Sequence, residues 1–211
     1  MFDVLNQGGA VMYLILICSV TALAVTIERV MTLVRLARSE EAFQREITEL
    51  IDRGTLQETA ELCGSRATPS ARICGAALAK HGAPRDEVRD AAQDAGAHEV
   101  DGLSRNLVVL ATVAQIAPLL GLLGTVLGMI DTFAQIQGAS GGLVDPEILS
   151  GGIRKALLTT AFGLSVAIPT LVAYAGLSTW VNRLIGRTER VSGAAVEVVC
   201  GHSAPSTAKD E

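Results

Sequence analysis

The stretch GLLGTVLGMIDTF, residues 121–133, carries one hydroxyl group, that of Thr125, in a run that is otherwise apolar as far as Asp131. Three glycines stand around this hydroxyl, although a glycine costs about 1 kcal/mol relative to alanine inside a helix. A threonine can donate and accept hydrogen bonds, but it cannot carry a proton at neutral pH. The stretch therefore indicates hydrogen bonding across a close helix contact, to water or to a polar partner.

Small and hydroxyl-bearing residues recur at helical spacing in two segments. In the first segment they are Ala117, Gly121, Thr125, Gly128 and Thr132, and in the second they are Ala156, Thr160, Gly163, Ala167 and Thr170. Spacings of three and four residues put each set on one helix face, where small side chains let two backbones approach closely. Close packing alone would explain one such stripe. Two matching stripes centred on threonine favour a face that also meets water or a polar partner.

The chain contains three long uncharged runs: 24 residues between Asp3 and Glu28, 25 between Arg105 and Asp131, and 27 between Lys155 and Arg183. At about 1.5 Å per residue, each run exceeds the ~30 Å hydrocarbon core of a bilayer. Aromatic residues make up only 3% of the chain, too few for the core of an ordinary soluble domain. The sequence therefore predicts an all-α membrane protein with three transmembrane helices rather than a soluble protein with three buried helices.

Lysine and arginine near the ends of these runs predict the orientation of the chain, because both are enriched in cytoplasmic loops. Arginines follow the first and third runs and precede the second, whereas the loop before the third run is acidic until Arg154 and Lys155. We therefore expect an N-terminus that faces outward, which is the periplasm if the membrane is a bacterial inner membrane, and a cytoplasmic C-terminus. The expected segments are residues 1–38 with the first span, 39–105 in the cytoplasm, 106–133 as the second span, 134–153 as a periplasmic loop, 154–182 as the third span, and 183–211 as a cytoplasmic helix end with a disordered tail.

Residues 39–105 have a helical pattern, with 8 basic and 13 acidic side chains, a balance that disfavours binding to nucleic acid or anionic lipid. Phe43 and Ile47 begin an apolar stripe at helical spacing. Capping residues and glycines indicate the limits of the helices. The expected helices begin at Ser39, at a capping box in residues 55–58, at Ser70 and at Pro84, and the first two end at Gly54 and Gly64. Such helices would extend the membrane bundle into a helical cytoplasmic domain.

No acidic, basic or histidine side chain lies inside the three runs. Because a proton relay in a membrane needs a titratable group, the chain alone cannot form a complete proton pathway, and a partner would have to bring a carboxylate. The cysteines and histidines lack metal-ligand spacing, so no metal and no cofactor are expected. The absence of a catalytic constellation and of an inverted repeat disfavours an enzyme and a secondary transporter.

The segments APLLGLLGTVLGMIDTF and GIRKALLTTAFGLSVAIPTLVAY resemble the MotA/TolQ/ExbB proton channel family. Three spans and an outward N-terminus match its ExbB/TolQ branch. The resemblance implies a pentameric ring whose central pore, lined by the second and third spans, encloses the single-span helices of an ExbD/TolR-type partner with a membrane aspartate. Thr125 and Thr160 match the family's two pore threonines.

The resemblance also implies which other residues line the proton pathway. They are the stripe residues Gly121, Gly128, Thr132, Gly163 and Ala167. Lys155 stands at the expected pore entrance, where the best-studied members have a glutamate. Its side chain is expected either to anchor the helix at the membrane interface or to pair with an acidic group of the partner.

The function that the resemblance implies is non-enzymatic. A subunit in the bacterial inner membrane would convert proton-motive force into work on the cell envelope, together with a TonB- or TolA-like protein. Energising TonB-dependent outer-membrane transport is the first hypothesis. A TolQ-like role in envelope maintenance and cell division, and a non-conducting membrane scaffold, are the alternatives.

Overall fold

The computed structural model describes residues 9–53, 56–138 and 146–201. They form six α-helices: α1 (Ala10–Arg53), α2 (Leu56–Ser65), α3 (Pro69–Ala79), α4 (Arg85–Ser104), α5 (Leu107–Gly138) and α6 (Pro146–Gly201). Within the described ranges the remaining residues are short connections, and none of them forms a strand. The all-α prediction is therefore confirmed.

Three helical stretches are long and apolar enough to cross a membrane: Ala10–Leu50, Arg85–Gln137 and Leu149–Glu197. The second and third stretches each contain a whole uncharged run, and the first contains residues 10–27 of its run. Pro118 and Pro169 lie inside α5 and α6 without ending either helix, as membrane helices tolerate when the freed backbone groups are satisfied nearby. The prediction of three membrane-spanning helices is confirmed.

The chain divides into two compact units. The described residues of 1–29 and 106–177 form the first, here called the membrane unit, and those of 30–105 and 178–211 form the second, here called the charged unit. The membrane unit leaves large apolar side chains exposed; Leu119, Leu157 and Val172 are between 63% and 67% accessible. Water would not favour such a surface, so these side chains are suited to contact lipid or other membrane helices.

The charged unit has an ordinary hydrophobic core. One cluster joins α1, α2, α3 and α6 through Phe43, Ile47, Cys63, Ala71, Cys74 and Ala195. A second joins α3, α4 and α6 through Ile73, Ala77, Val88, Ala92, Val196 and Val199. The predicted apolar stripe is thereby confirmed at Phe43 and Ile47, which are 0% and 2% exposed.

Two of the four predicted helices of residues 39–105 begin within one residue of the expected place. The helix expected over residues 70–80 is α3, whose N-cap residue Thr68 accepts a hydrogen bond from the backbone N–H of Ala71 through its side chain. The helix expected from Pro84 is α4, which starts one residue later with Pro84 as its N-cap residue. Only residues 105 and 106 separate α4 from α5.

The helix start predicted at Ser39 is wrong, because α1 runs without a break from Ala10 to Arg53. The neighbouring Glu40 does not serve a helix terminus. Its side chain is 1% exposed and accepts hydrogen bonds from Ser70 Oγ and from Gln44 Nε2. A tertiary contact therefore accounts for this polar residue, which local sequence preferences assigned to a cap.

The other predicted helix boundaries are those at Gly54, Thr55 and Gly64. The helix end expected at Gly64 is displaced by one residue, since α2 continues to Ser65. The expected helix end at Gly54 and the first residue of the capping box, Thr55, lie outside the described residues.

The segment expected as a periplasmic loop, residues 134–153, is helical up to Gly138 and again from Pro146. A helix can continue past the bilayer, so the topological boundaries themselves stay predictions. In the predicted tail, Cys200 and Gly201 are still helical, and residues 202–211 lie outside the described ranges.

Candidate functional site

The two small-residue stripes lie against each other inside one chain. A Cβ atom added to Gly163 of α6 would stand 2.6 Å from the carbonyl oxygen of Ala117 and 3.1 Å from Cα of Gly121, both in α5. Real Cβ atoms do not approach backbone atoms this closely, so only glycine fits at position 163. The glycine therefore provides backbone-to-backbone contact between the second and third spans, as close helix pairs in membranes require.

One interhelical hydrogen bond belongs to the same contact. Thr160 Oγ1 donates to the carbonyl oxygen of Gly121 over 3.0 Å. A Cβ on Gly121 would stand 3.0 Å from Cα of Thr160 and 3.1 Å from the carbonyl oxygen of Thr159. The glycine at position 121 thus brings the α5 carbonyl within reach of the threonine hydroxyl of α6.

The contact continues along both helices, and we call this series of pairs the seam. A Cβ on Gly124 would stand 2.6 Å from Thr159 Oγ1, and one on Gly128 would stand 3.4 Å from Cβ of Ala156. Beyond them, Thr132 of α5 lies against Gly152 of α6. The seam therefore has four steps: Gly121 and Gly163 with Thr160, Gly124 with Thr159, Gly128 with Ala156, and Thr132 with Gly152.

The seam brings together most of the residues predicted to line a pathway. Gly121, Gly128, Thr132 and Gly163 are buried along it, and Ala167 is buried one turn further along α6. The hydroxyl group of Thr132 is used inside its own helix, where it donates to the carbonyl oxygen of Gly128 over 2.7 Å. In a single chain Gly121, Gly128, Thr132 and Gly163 pack between two helices and Ala167 is buried, so the place of these five residues in a proton pathway stays a prediction.

The two threonines singled out by the sequence are less buried than their neighbours. Thr125 and Thr160 are each partly exposed. Thr125 Oγ1 donates to the carbonyl oxygen of Leu122 over 2.6 Å. Each hydroxyl group therefore already donates its proton to a backbone carbonyl oxygen. Its own oxygen can still accept a hydrogen bond from another donor.

Sequence reasoning missed some seam residues, among them Thr159. Its side chain is 1% exposed, donates to the carbonyl oxygen of Ala156 over 2.7 Å and fills the space beside Gly124. The available signals were the Thr159–Thr160 doublet and the third glycine of the opening motif. Both satisfy spacings of three and four, since Thr159 lies three residues after Ala156 and four before Gly163 and Gly124 lies three after Gly121 and four before Gly128, but the predicted stripes took Thr160 and Thr125 at these places.

Lys155 pairs with an acid of its own chain. Its Nζ atom lies 4.0 Å from Oδ2 of Asp131, and the two side chains are 36% and 59% accessible. Lys155 also approaches Gly9, since its Nζ lies 4.0 Å from the position that a Cβ on Gly9 would take. Neither partner had been assigned from the sequence, which favoured an interfacial anchor or an acid on another protein.

The charged unit holds a pair of buried cysteines, Cys63 and Cys74, both of them free thiols. Hydrogen bonding with Cys74 lowers the pKa of the Cys63 thiol, despite the opposing effect of burial. The same hydrogen bond, followed by burial, raises the pKa of Cys74, which stays a neutral thiol. Their place in the core indicates that both residues pack as small apolar side chains.

No group of three His, Cys, Asp or Glu side chains is placed to hold a metal ion in the part of the chain that the structure describes. The membrane unit instead combines three apolar spans, a seam of glycines and threonines, and one ion pair beside the end of that seam. These features define a multi-span, all-helical membrane protein whose second and third spans form a tightly packed pair.

Comparison with known proteins gives the family. Residues 65–190 match the MotA/TolQ/ExbB proton channel family. A putative biopolymer transport protein ExbB homolog of Methanothermobacter thermautotrophicus is 30% identical over 190 residues, which are 90% of this chain and 67% of the relative. The putative biopolymer transport protein ExbB-like 3 of Synechocystis is 33% identical over 165 residues, 78% of this chain and 79% of the relative.

A third relative carries the other name of the branch. The Tol-Pal system protein TolQ of Haemophilus influenzae is 40% identical over 86 residues, 41% of this chain and 37% of that protein. The chain belongs to the MotA/TolQ/ExbB proton channel family, in its ExbB/TolQ branch, and is a multi-pass membrane protein. The matched region contains all of α4 and α5 and the part of α6 that forms the seam.

Proposed function

We propose that this chain is the channel-forming subunit of an energiser in the bacterial inner membrane, which uses proton-motive force to do work on the cell envelope. Five copies form a ring around the single-span helices of an ExbD/TolR-type partner, and a membrane aspartate of that partner carries the proton. The N-terminus lies in the periplasm and the C-terminus in the cytoplasm. Family membership and the relatives named for biopolymer transport support this proposal.

The observation that carries the proposal is the chemistry of the second and third spans. Their uncharged runs contain no titratable side chain, and a proton relay needs one. The hydroxyl protons of Thr125 and Thr160 are already donated to backbone carbonyls. The remaining lone pairs can accept a hydrogen bond from water or from a protonated carboxylic acid, but they cannot bind a carboxylate.

This chemistry fits a partner aspartate that contacts the two spans in its protonated, neutral form. A hydroxyl oxygen that only accepts stabilises the protonated state of a partner aspartate relative to its anion. Thr125 and Thr160 are the stripe residues with exposed surface at which such contact can occur. The buried stripe residues Gly121, Gly128, Thr132 and Gly163 then hold the two spans together behind the threonines, and Ala167 is buried one turn further along α6.

The proposal is tested by proton flux into vesicles that contain this chain and the single-span protein encoded beside it. A pH-sensitive dye inside the vesicles reports the flux under an imposed membrane potential. We expect flux only with both proteins, and its loss when the partner's membrane aspartate is replaced by asparagine. A complex that assembles but shows no flux would instead favour the non-conducting scaffold.

Oligomeric state gives a separate test. Native mass spectrometry of the complex is expected to show five copies of this chain, whereas a monomer without partner contradicts the ring. The energised process is proposed as TonB-dependent outer-membrane transport. The TolQ relative favours envelope maintenance as the second candidate, and a TonB-like or Tol-like protein encoded nearby would decide between them.

A further inference from the structure

Two opposite charges stand at one end of the apolar spans. Asp131 is the first charged residue after the uncharged run of α5, and Lys155 is the last one before the uncharged run of α6. Both belong to the membrane unit, and the distance from Lys155 Nζ to Asp131 Oδ2 is 4.0 Å. The two spans therefore meet in an ion pair where their uncharged runs end.

The ion pair lies beside the last two steps of the seam. Lys155 precedes Ala156, which packs on Gly128, and Asp131 precedes Thr132, which packs on Gly152. The tight helix contact fixes the two backbones there and holds the charged side chains near each other. Both side chains keep substantial exposed surface, so the pair is accessible to water and ions.

Lys155 also lies near a second source of positive charge, the N-terminus of α1. Its Nζ and Cε atoms are each 4.0 Å from the position of a Cβ on Gly9, the residue before α1. The amide N–H groups at a helix N-terminus carry a partial positive charge. The ammonium of Lys155 thus lies near both a like partial charge and the carboxylate of Asp131, and the carboxylate is the compensating group.

We propose that Asp131 is a positioning residue that neutralises Lys155 at this mouth of the proton pathway. The inference rests on the proposed function, because it concerns the route by which protons enter. An uncompensated ammonium at the edge of a low-dielectric region repels an approaching cation, whereas an adjacent carboxylate leaves a dipole whose field falls off quickly. Asp131 acts through Lys155 and does not itself carry the transported proton.

The experiment is a double-mutant cycle on proton flux in vesicles that contain the complete complex. Asp131→Asn is expected to lower the flux about tenfold, because the positive charge then stands alone. Asp131→Glu keeps the charge and is expected to restore most of the flux. Added to Lys155→Met, Asp131→Asn is expected to change the flux by less than about twofold, because the ammonium with which Asp131 pairs is then absent.

Two results would overturn the inference. One is an unchanged flux in Asp131→Asn. The other is an equally large loss from Asp131→Asn with and without Lys155→Met, since Asp131 would then act on the proton directly. A wild-type complex without flux overturns the proposed function, and this role with it, whereas wild-type flux that Asp131→Asn leaves intact overturns the role of Asp131 alone.

Assembly is controlled in the same preparations. The yield of the complex is measured for every variant, so that loss of flux is not confused with loss of the ring. If Asp131→Asn does not assemble, the charge-swapped variant Asp131→Lys with Lys155→Asp decides the question. Flux within about threefold of the wild type supports neutralisation, and loss of flux in an assembled charge-swapped complex contradicts it.

Discussion

The membrane unit and the charged unit are packed according to opposite rules. In the charged unit the large side chains are inside, and Phe43 and Val88 are 0% exposed. In the membrane unit the tightest contact uses glycine, as at Gly121 and Gly163, while large residues such as Leu119 are 63% exposed. Water rewards the burial of apolar area, whereas lipid does not and leaves close packing and hydrogen bonds to join helices. The comparison shows one chain adapted to two solvents.

Truncating one large apolar side chain in each unit tests whether the two units are packed according to opposite rules. Phe43→Ala removes the largest fully buried side chain of the charged unit and is expected to lower the free energy of unfolding by about 3–5 kcal/mol. The matched change Leu119→Ala, in the exposed surface of α5, is expected to cost less than about 1 kcal/mol. Thermal denaturation in detergent measures both, and equal losses would contradict the assignment of Leu119 to a lipid-facing surface.

Adding a methyl group tests the seam. Gly163→Ala places a Cβ 2.6 Å from the carbonyl oxygen of Ala117 and is expected to cost about 1–3 kcal/mol, since the two helices must move apart. Gly176 lies on the same helix with nothing within 4 Å of an added Cβ. Gly176→Ala is therefore the control, and its higher helix propensity should leave stability unchanged or slightly raised. Similar thermal midpoints for the two variants would argue against the seam.

A buried hydrogen bond in the charged unit should matter more than an exposed one. Ser70→Ala removes the hydroxyl that donates to the buried Glu40, whose second oxygen, Oε2, has no hydrogen-bond partner among the described residues. The expected loss is about 1–3 kcal/mol, because a buried carboxylate is left with fewer donors. Ser65→Ala removes an exposed hydroxyl that donates to the carbonyl oxygen of Leu62, and it should cost less than about 0.5 kcal/mol. Chemical denaturation of the purified protein compares the two.

The smallest effect on stability is expected at the threonines. Thr160→Val keeps the shape of the side chain and removes the hydrogen bond to Gly121, worth about 0.6–1.7 kcal/mol in a membrane. The ring should therefore assemble while proton flux falls, and Thr125→Val should behave alike. Thr112→Val, which removes an exposed hydroxyl bonded within α5, is the matched control. Full flux in both Thr125→Val and Thr160→Val would leave the seam as a packing surface only.

Much of this organisation could be predicted from the sequence because it depends on local composition. The absence of charge over 25 and 27 residues is enough to identify the second and third spans. Spacings of three and four also placed Gly121 and Gly163 on interacting faces. Periodicity does not identify the helix against which a face packs. The structure shows that the two faces meet each other within one chain.

The features that the sequence did not predict are tertiary. Ser39 and Glu40 have the residue types of a helix start, but the burial of Glu40 against Ser70 holds them inside a continuous helix. Thr159 was missed because spacings of three and four between Ala156 and Gly163 admit either Thr159 or Thr160, and the predicted stripe took Thr160. The ion pair of Asp131 and Lys155 joins residues 24 positions apart, a proximity that no spacing rule supplies.

The close approach of Gly121 and Gly163 has a mechanical consequence. Where the backbone of one helix touches that of its neighbour, neither helix can slide or rotate without a steric clash. The two helices are therefore expected to move as one rigid unit. A displacement of the third span is therefore expected to carry the second span with it. In the proposed energiser, movement is then expected at the outer faces of this helix pair and not within it.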